Sequence, residues 1–577
     1  MRVKVACMTT AAELFQQHEQ TLQRALTAIR ERTYWSAYPE NLKAYGSSEE
    51  PDGTQAASEG QAAFDGYLDK PFPLEQSATD GEVTGERSPY GVDLGVVYPH
   101  ADSEQLLAAA KQAIPAWRDA GPDARAGVAL EILRRINARS HELAHAVMHT
   151  SGQAYAMAFQ AGGPHAQDRA LEAVAYAYAE MTRHAAEATW EKPQGKRPPQ
   201  RMTKRFTVVP RGISLVIACN TFPTWNSYPG LFASLVTGNA VVVKPHPRAI
   251  LPLAITVQIA REVLTETGFP PDLVSLAPEQ QGEGLAKTLA LHEDVRVIDY
   301  TGSTEFGTWL ERNAPQAAVF TEKAGVNTVV LDSTDDYKGM LANLAFSLSL
   351  YSGQMCTTPQ NLLIPREGIT ADGERKSVED VGRDLAAAVD GLLGDDARAT
   401  ALLGAIVNEG VMERLASAPS YGDVVLASRT IAHPEFPGAT VRTPAVVRLD
   451  VTDRDTYLQE CFGPVTFLVT TDGSEQSIDL LRDSAREHGA ITAAVYSTDE
   501  KVLDATEQAA LDAGVALSCN LTETVYVNQS AAFSDFHATG ANPAANAALT
   551  DAAFVASRFR MVQSRRHLPA EAPTTAS

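Results

Sequence analysis

One thiol sits where it could act as a nucleophile, and one carboxylate upstream gives it meaning. Cys356 closes the run Ser352-Gly353-Gln354-Met355-Cys356, and Glu322 lies 34 positions before it (356 − 322 = 34). A helical pattern of Leu341, Leu344, Leu348 and Tyr351 runs into Gly353, a residue suited to ending a helix, and Leu362-Leu363-Ile364 follows as a strand. The turn between them can present Cys356 to a cleft, where a thiol deprotonates more readily than in mid-strand, and the thiolate is the nucleophilic form. A cysteine by itself is most often packing. The remaining readings therefore depend on what surrounds it.

A second cluster competes for attention. His141-Glu142-Leu143-Ala144-His145, with His149 beyond it, fits the H-E-x-x-H pattern of zinc proteases, and histidines at i, i+4 and i+8 share one helix face. No downstream Glu or Gly-turn signal accompanies it. The expectation is no metal and a polar, solvated helix face.

At 577 residues the chain is too long for one core, and 44% apolar content fills two or three domains. The net charge of −23 opposes nucleic acid or an anionic membrane as a partner. Five cysteines, Cys7, Cys219, Cys356, Cys461 and Cys519, are unpaired in any metal or CxxC pattern, which suits a reducing cytoplasm. No apolar run reaches membrane-spanning length, and Met1 to Thr10 has no signal-peptide core.

Residues 11 to 45 read as an amphipathic helix leading into Tyr34, Trp35 and Tyr38, and residues 47 to 62, rich in Ser, Glu, Gly and Gln, read as a surface loop. Helical patterns cover Leu106 to Trp117 and Asp123 to His149. Residues 190 to 205 carry six cations among prolines and glutamines; this is an exposed hairpin at a subunit contact or, as the sharper alternative, a patch for coenzyme A phosphates. From Ile213 the pattern is strand then helix: Ile213 to Ala218, Ala240 to Val243, Val295 to Tyr300 and Thr328 to Leu331 are apolar runs of a doubly wound parallel sheet. Ligands of such sheets sit beyond the strand C-termini.

These pieces, taken together, resemble the aldehyde dehydrogenase superfamily over roughly residues 90 to 565. The likeness rests on Val216 to Pro223 (V-I-A-C-N-T-F-P), Gly238 to Pro245 (G-N-A-V-V-V-K-P), Tyr300 to Gly307 (Y-T-G-S-T-E-F-G), Glu322 to Asn327, Gly353 to Cys356 and Glu460 to Val465. The 34-residue separation of Glu322 and Cys356 is also the family's. Within it, Ile217 to Asn226, Phe533 to Asp551 and the long N-terminal extension are similar to a PaaN-type, phenylacetic acid degradation branch.

The resemblance implies an α/β, aldehyde dehydrogenase-like fold. Its parts would be an N-terminal helical extension (1–60), a doubly wound nucleotide-binding domain (61–189 and 209–321), an α/β catalytic domain (322–539), a small β oligomerisation element (190–208 and 540–565) and a disordered tail (566–577). It further implies that Cys356 attacks an aldehyde, that Asn220 and the Cys356 backbone N–H hold the oxyanion, and that Glu322 activates water against the thioester. The inserted Thr221 leaves Asn226 as an alternative source of the amide. Lys244 would reach the adenosine ribose, Gly302 and Ser303 the pyrophosphate, and Glu460 with Phe462 the nicotinamide. Where NAD-preferring relatives place a ribose-binding Glu stands Pro247, flanked by His246 and Arg248, which leans the expected cofactor to NADP over NAD. The implied substrate is a small aldehyde, in the branch a semialdehyde on coenzyme A, handled by a cytoplasmic homodimer or homotetramer. The alternatives are a coenzyme A-acylating dehydrogenase and a catalytically silent scaffold.

Overall fold

A computed structural model describes residues 10–46, 50, 52–323 and 325–569. Its centre is a five-stranded, all-parallel sheet in the spatial order Val274–Leu276, Ala240–Lys244, Ile213–Ile217, Val295–Gly302, Ala318–Lys323. The first, second and third strands in the chain run outward to one edge and the next two to the other, so the order reverses between Ile213–Ile217 and Val295–Gly302. That reversal opens a crevice at the strand C-termini. Continuous burial along Ile213–Ile217 and Ala240–Lys244 matches strands covered by helices on both faces.

A second, seven-stranded sheet has Thr328–Leu331 near its middle, between Asn361–Pro365 and Thr492–Tyr496. All its pairs are parallel except Asp423–Leu426 with Ala445–Asp450. Thr328–Leu331 thus does not extend the first sheet, because Gly325–Asn327 carries the chain across to the other. A division of the chain at residue 322 falls inside the strand Ala318–Lys323, whose last residues lie at the junction of the two layers.

The six cations occupy an exposed hairpin, Glu187–Gln194 with Arg197–Pro210, and Phe559–Leu568 adds a third antiparallel strand. Its positive charge is partly answered within the hairpin, by Arg201 with Glu191 and Arg205 with Glu187. The C-terminal contribution therefore starts at Phe559 rather than 540 and continues through Leu568, so Arg566 to Leu568 are strand and not tail. Residues 540 to 551 lie elsewhere, along the edge strand that carries Glu322.

The N-terminal segment packs on the main body through Ala11–Glu31, capped by a reciprocal Thr10–Glu13 box, whose Leu14, Leu22 and Ile29 are buried. From Thr54 onward the loop expected at 47 to 62 is instead a helix, Thr54–Asp65, while residues 47 to 49 and 51 lie outside the described residues. Its alanines favour a helix, and Phe64 supplies a buried anchor. Gly60 lets that helix close on Ser140–Ser151, where a Cβ would meet the Cβ of His141 at 2.4 Å. Cys7 lies outside the described residues.

Candidate active site

The thiol is delivered by a tightly held turn. Tyr337–Ser349 ends in a short 3-10 turn, Leu350–Gly353, in which Tyr351, Ser352 and Gly353 all have positive φ (53°, 51° and 65°). Such backbone persists only where the surroundings over-determine it. Here Ser352 Oγ donates to the carbonyls of Leu403 and Arg442, Tyr351 hydroxyl donates to that of Ser151, and Gln354 Nε2 donates to that of Ala405. Gly353 must lack a side chain, since a Cβ would come within 2.6 Å of the Gly463 carbonyl. Beyond it, Asn327 Nδ2 donates to the Cys356 carbonyl at 2.7 Å while its Oδ1 accepts from Ile491 and Thr492. Cys356 is left half-buried, facing a cavity lined also by Glu460, Phe462 and Gln360.

Glu322 comes from the edge strand of the first sheet and is 3% exposed. It is no surface partner of Lys323, whose Nζ turns away to Glu311 at 3.0 Å. Instead Asn226 Nδ2 lies 3.3 Å from each Glu322 carboxylate oxygen, and His537 Nε2 lies 3.1 Å from Oε1. Burial would raise the carboxyl, but His537, the Cys356 thiol and Asn226 together hold it below the usual carboxylate range. Burial, and after it the Glu322 charge, pushes the Cys356 thiol well up. His537 is the residue that reading the sequence missed. It sits in the Phe533 to Asp551 stretch, which drew notice only as a family likeness, and nothing in its spacing ties it to residues 215 and 181 positions earlier (537 − 322; 537 − 356). Thiol, imidazole and carboxylate fall within 4.8 Å of one another.

Asn220 is oriented differently from Asn226. Its Nδ2 donates to the Thr150 carbonyl at 3.0 Å, which uses one of two amide hydrogens, whereas Asn226 spends its amide on the two Glu322 oxygens.

At the crevice of the first sheet, Lys244 ends its strand in a close ion pair with Glu279, which follows Val274–Leu276 in the chain. Glu279 is 7% exposed, and its second oxygen, Oε2, has no hydrogen-bond partner. A buried, half-used carboxylate beside a lysine is a place for ligand hydroxyls. Ser303 caps the helix Thr304–Asn313, its Oγ accepting from Phe306 N, so the N-terminus of that helix lies next to Gly302. The chemistry of these residues would suit a dinucleotide, Lys244 and Glu279 offering partners for ribose hydroxyls and the helix N-terminus for phosphates. His246 and Arg248 do not offer the cationic pair expected for a 2′-phosphate. Burial pushes His246 down to about 3, so it is neutral, with Nδ1 accepting from Arg248 N, and Arg248 Nη1 is committed to the Val407 carbonyl.

The histidine helix is packing, and its face is buried rather than solvated. His149 stacks on Phe64 at 4.9 Å and bonds Ser88 Oγ through Nδ1, and His141 bonds Tyr155 through Nδ1. Burial pushes His145 and His149 to about 4, leaving both neutral. The polar-looking face is covered because Thr54–Asp65, read as a loop, lies across it.

Residues 97–551 match the model of the aldehyde dehydrogenase family. The chain is 57% identical to an NAD-dependent aldehyde dehydrogenase from Burkholderia multivorans of known crystal structure, with a TM-score of 0.94 over 97% of this chain and 99% of that one. It is 24% identical over 485 residues to 1-pyrroline-5-carboxylate dehydrogenase 2 of Bacillus subtilis, covering 80% of this chain and 87% of the relative. A 1-pyrroline-5-carboxylate dehydrogenase from Thermus, solved with bound NAD, shares the fold at 20% identity and a TM-score of 0.72, over 93% of this chain and 99% of that one.

Proposed function

The chain belongs to the aldehyde dehydrogenase family, and on that premise we propose that it oxidises an aldehyde to a carboxylic acid, with Cys356 as nucleophile and NAD as hydride acceptor. The observation that carries the reading is the meeting of Cys356 and Glu322 in one buried cluster at the junction of two sheets. Sulfur adds to the aldehyde carbon, and the oxyanion is met by the Cys356 backbone N–H and the remaining amide hydrogen of Asn220, which Thr150 holds in place. A bound nicotinamide dinucleotide supplies the acceptor for the hydride. Lys244, Glu279, Gly302 and Ser303 would hold its adenosine end, and Glu460 with Phe462, in the same cavity as Cys356, its other end. Glu322 then takes a proton from water, which attacks the thioester carbon as the C–S bond breaks. Formation of reduced dinucleotide on a panel of simple and coenzyme A-linked semialdehydes tests this; no turnover on any aldehyde would defeat it and favour a silent scaffold. Asn220→Ala is expected to lower kcat about 10²–10³-fold, the usual worth of one oxyanion donor.

A coenzyme A-linked semialdehyde from aromatic ring opening remains the first substrate to try, on the likeness of Phe533 to Asp551 to the phenylacetate-degradation branch. Release of product to water rather than to free coenzyme A is favoured by the burial of Glu322 against Cys356. The exposed Met561 and Val562 on the last strand suit pairing with a second copy in a homo-oligomer.

NAD replaces NADP in this reading because the carboxylate absent at Pro247 has a counterpart in Glu279, delivered from the neighbouring strand. A 2′-phosphate would meet a buried anion there, and like charges brought together cost several kcal/mol. Glu279→Gln should reduce the NAD-over-NADP ratio of kcat/KM by at least about tenfold and let 2′,5′-ADP bind nearer to 5′-AMP in calorimetry. An unchanged ratio with unchanged nucleotide affinities would remove Glu279 from the account.

A further inference from the structure

A third group, the imidazole of His537, lies within reach of both base and nucleophile. Its consequence rests on the reading of Cys356 as the nucleophile. We propose that His537 is a catalytic residue whose Nε2–H follows the negative charge as it moves between Glu322 and Cys356.

The geometry allows one N–H to serve both groups. Nε2 is 3.1 Å from Glu322 Oε1 and 3.8 Å from Cys356 Sγ, and His537 is 4% exposed. On the other side of the ring Nδ1 faces Ser530 Oγ at 3.4 Å, and a hydroxyl donating there leaves the ring proton on Nε2. With the thiol neutral and Glu322 ionised, the N–H is donated to the carboxylate. When the S–H bond breaks, its proton passes to Glu322, the carboxylate becomes a neutral acid, and the single negative charge now sits on sulfur. The same N–H then donates to the thiolate. The sulfur pair next forms the bond to the aldehyde carbon, and the carbonyl π pair moves to oxygen. Glu322 gives its proton to solvent before it accepts another from the hydrolytic water. No proton moves onto or off the imidazole in these steps, and Glu322 and Cys356 never carry two negative charges at once.

The ring is held by parts of the chain that are otherwise unexplained. Trp225 meets it edge-on at 4.6 Å. The fully buried Arg169 donates to Ser530 Oγ and to the carbonyls of Asp535 and Leu549, thus gripping both sides of the His537 loop. Its ion-pair partner Glu172 accepts from Phe533 N at 3.0 Å and from Arg32 at 3.0 Å. Arg32 also lies over the Phe536 ring and Trp35 packs on Phe533, so the N-terminal extension buttresses the imidazole from outside.

The test is the rate at which iodoacetamide alkylates Cys356 in the protein without dinucleotide or aldehyde, read by peptide mass spectrometry because Cys519 is exposed as well. His537→Leu and His537→Asn, whose amide ends short of both partners, should slow alkylation about 10- to 100-fold, the worth of a hydrogen bond to a charged group. His537→Gln, whose amide nitrogen reaches the Nε2 position, should stay within about threefold of wild type. If His537→Leu loses a cooperative melting transition, the Asn and Gln pair decides. Equal rates for all variants, or a Gln variant as slow as Asn, would overturn the proposal. Since alkylation needs neither cofactor nor substrate, a wild type that oxidises no aldehyde would refute the proposed function while leaving the order of alkylation rates to be judged by itself.

Discussion

Glu322→Gln is expected to yield an enzyme that forms about one equivalent of reduced dinucleotide per subunit and then stalls, its steady rate down about 10²- to 10⁴-fold, the range contributed by a positioned general base. The amide is nearly the same size as the carboxylate and can still accept from His537 through its oxygen, so the nucleophile's surroundings survive the change. What is lost is the proton acceptor, for the Cys356 thiol as well as for water: the burst is slower, and the thioester on Cys356 still accumulates because its hydrolysis has lost the base. Rapid-mixing kinetics with trapping of acylated Cys356 distinguishes the outcomes. A variant with undiminished steady turnover would show that Glu322 is not the base. Wild-type turnover that depends on free coenzyme A would instead establish the acylating alternative.

The largest stability effect is expected at Arg558→Met. Arg558 is 0% exposed and makes a two-pronged pair with Asp299 on the Val295–Gly302 strand, at 2.7 and 2.6 Å. It also donates to Ser234 Oγ and the Phe554 carbonyl, and lies over the Phe320 and Phe554 rings at 4.5 and 4.1 Å. Removing the guanidinium strands a buried carboxylate on the Val295–Gly302 strand, at a cost of about 3–5 kcal/mol. Arg558→Met should therefore lower the urea midpoint markedly at fixed protein concentration. Adding Asp299→Leu should recover more than half of the loss, because the penalty lies in the unpaired charge more than in the missing attraction. Strict additivity of the two changes would contradict that. The effect reaches the active site as well, since Arg558 anchors the end of the segment that carries His537 and the Ala545 backbone bridged to Glu322.

Local signals served well where chemistry follows the chain. The helix-to-turn transition before Cys356 and the strands Ile213–Ile217 and Ala240–Lys244 were readable from hydrophobic period and a helix-ending glycine, because each is decided by neighbours within a few positions. Reading failed where burial comes from a distant segment. The face of His141, His145 and His149 looked solvated because the helix Thr54–Asp65 that covers it resembled a loop in composition. His246 and Arg248 looked like a phosphate site because the burial that neutralises His246 and the bond that commits Arg248 to the Val407 carbonyl both depend on folding.

By itself the sequence determined the family and singled out Cys356 and Glu322 as candidates for nucleophile and base, since ordered motifs and the Cys356–Glu322 spacing are properties of the chain alone. Only the tertiary structure decided what surrounds them. It set His537 between thiol and carboxylate, Glu279 against Lys244, and the N-terminal extension behind the His537 loop. The physical reason is that a side chain's charge state and partners are set by what is buried beside it, and burial joins residues hundreds of positions apart that no local pattern connects.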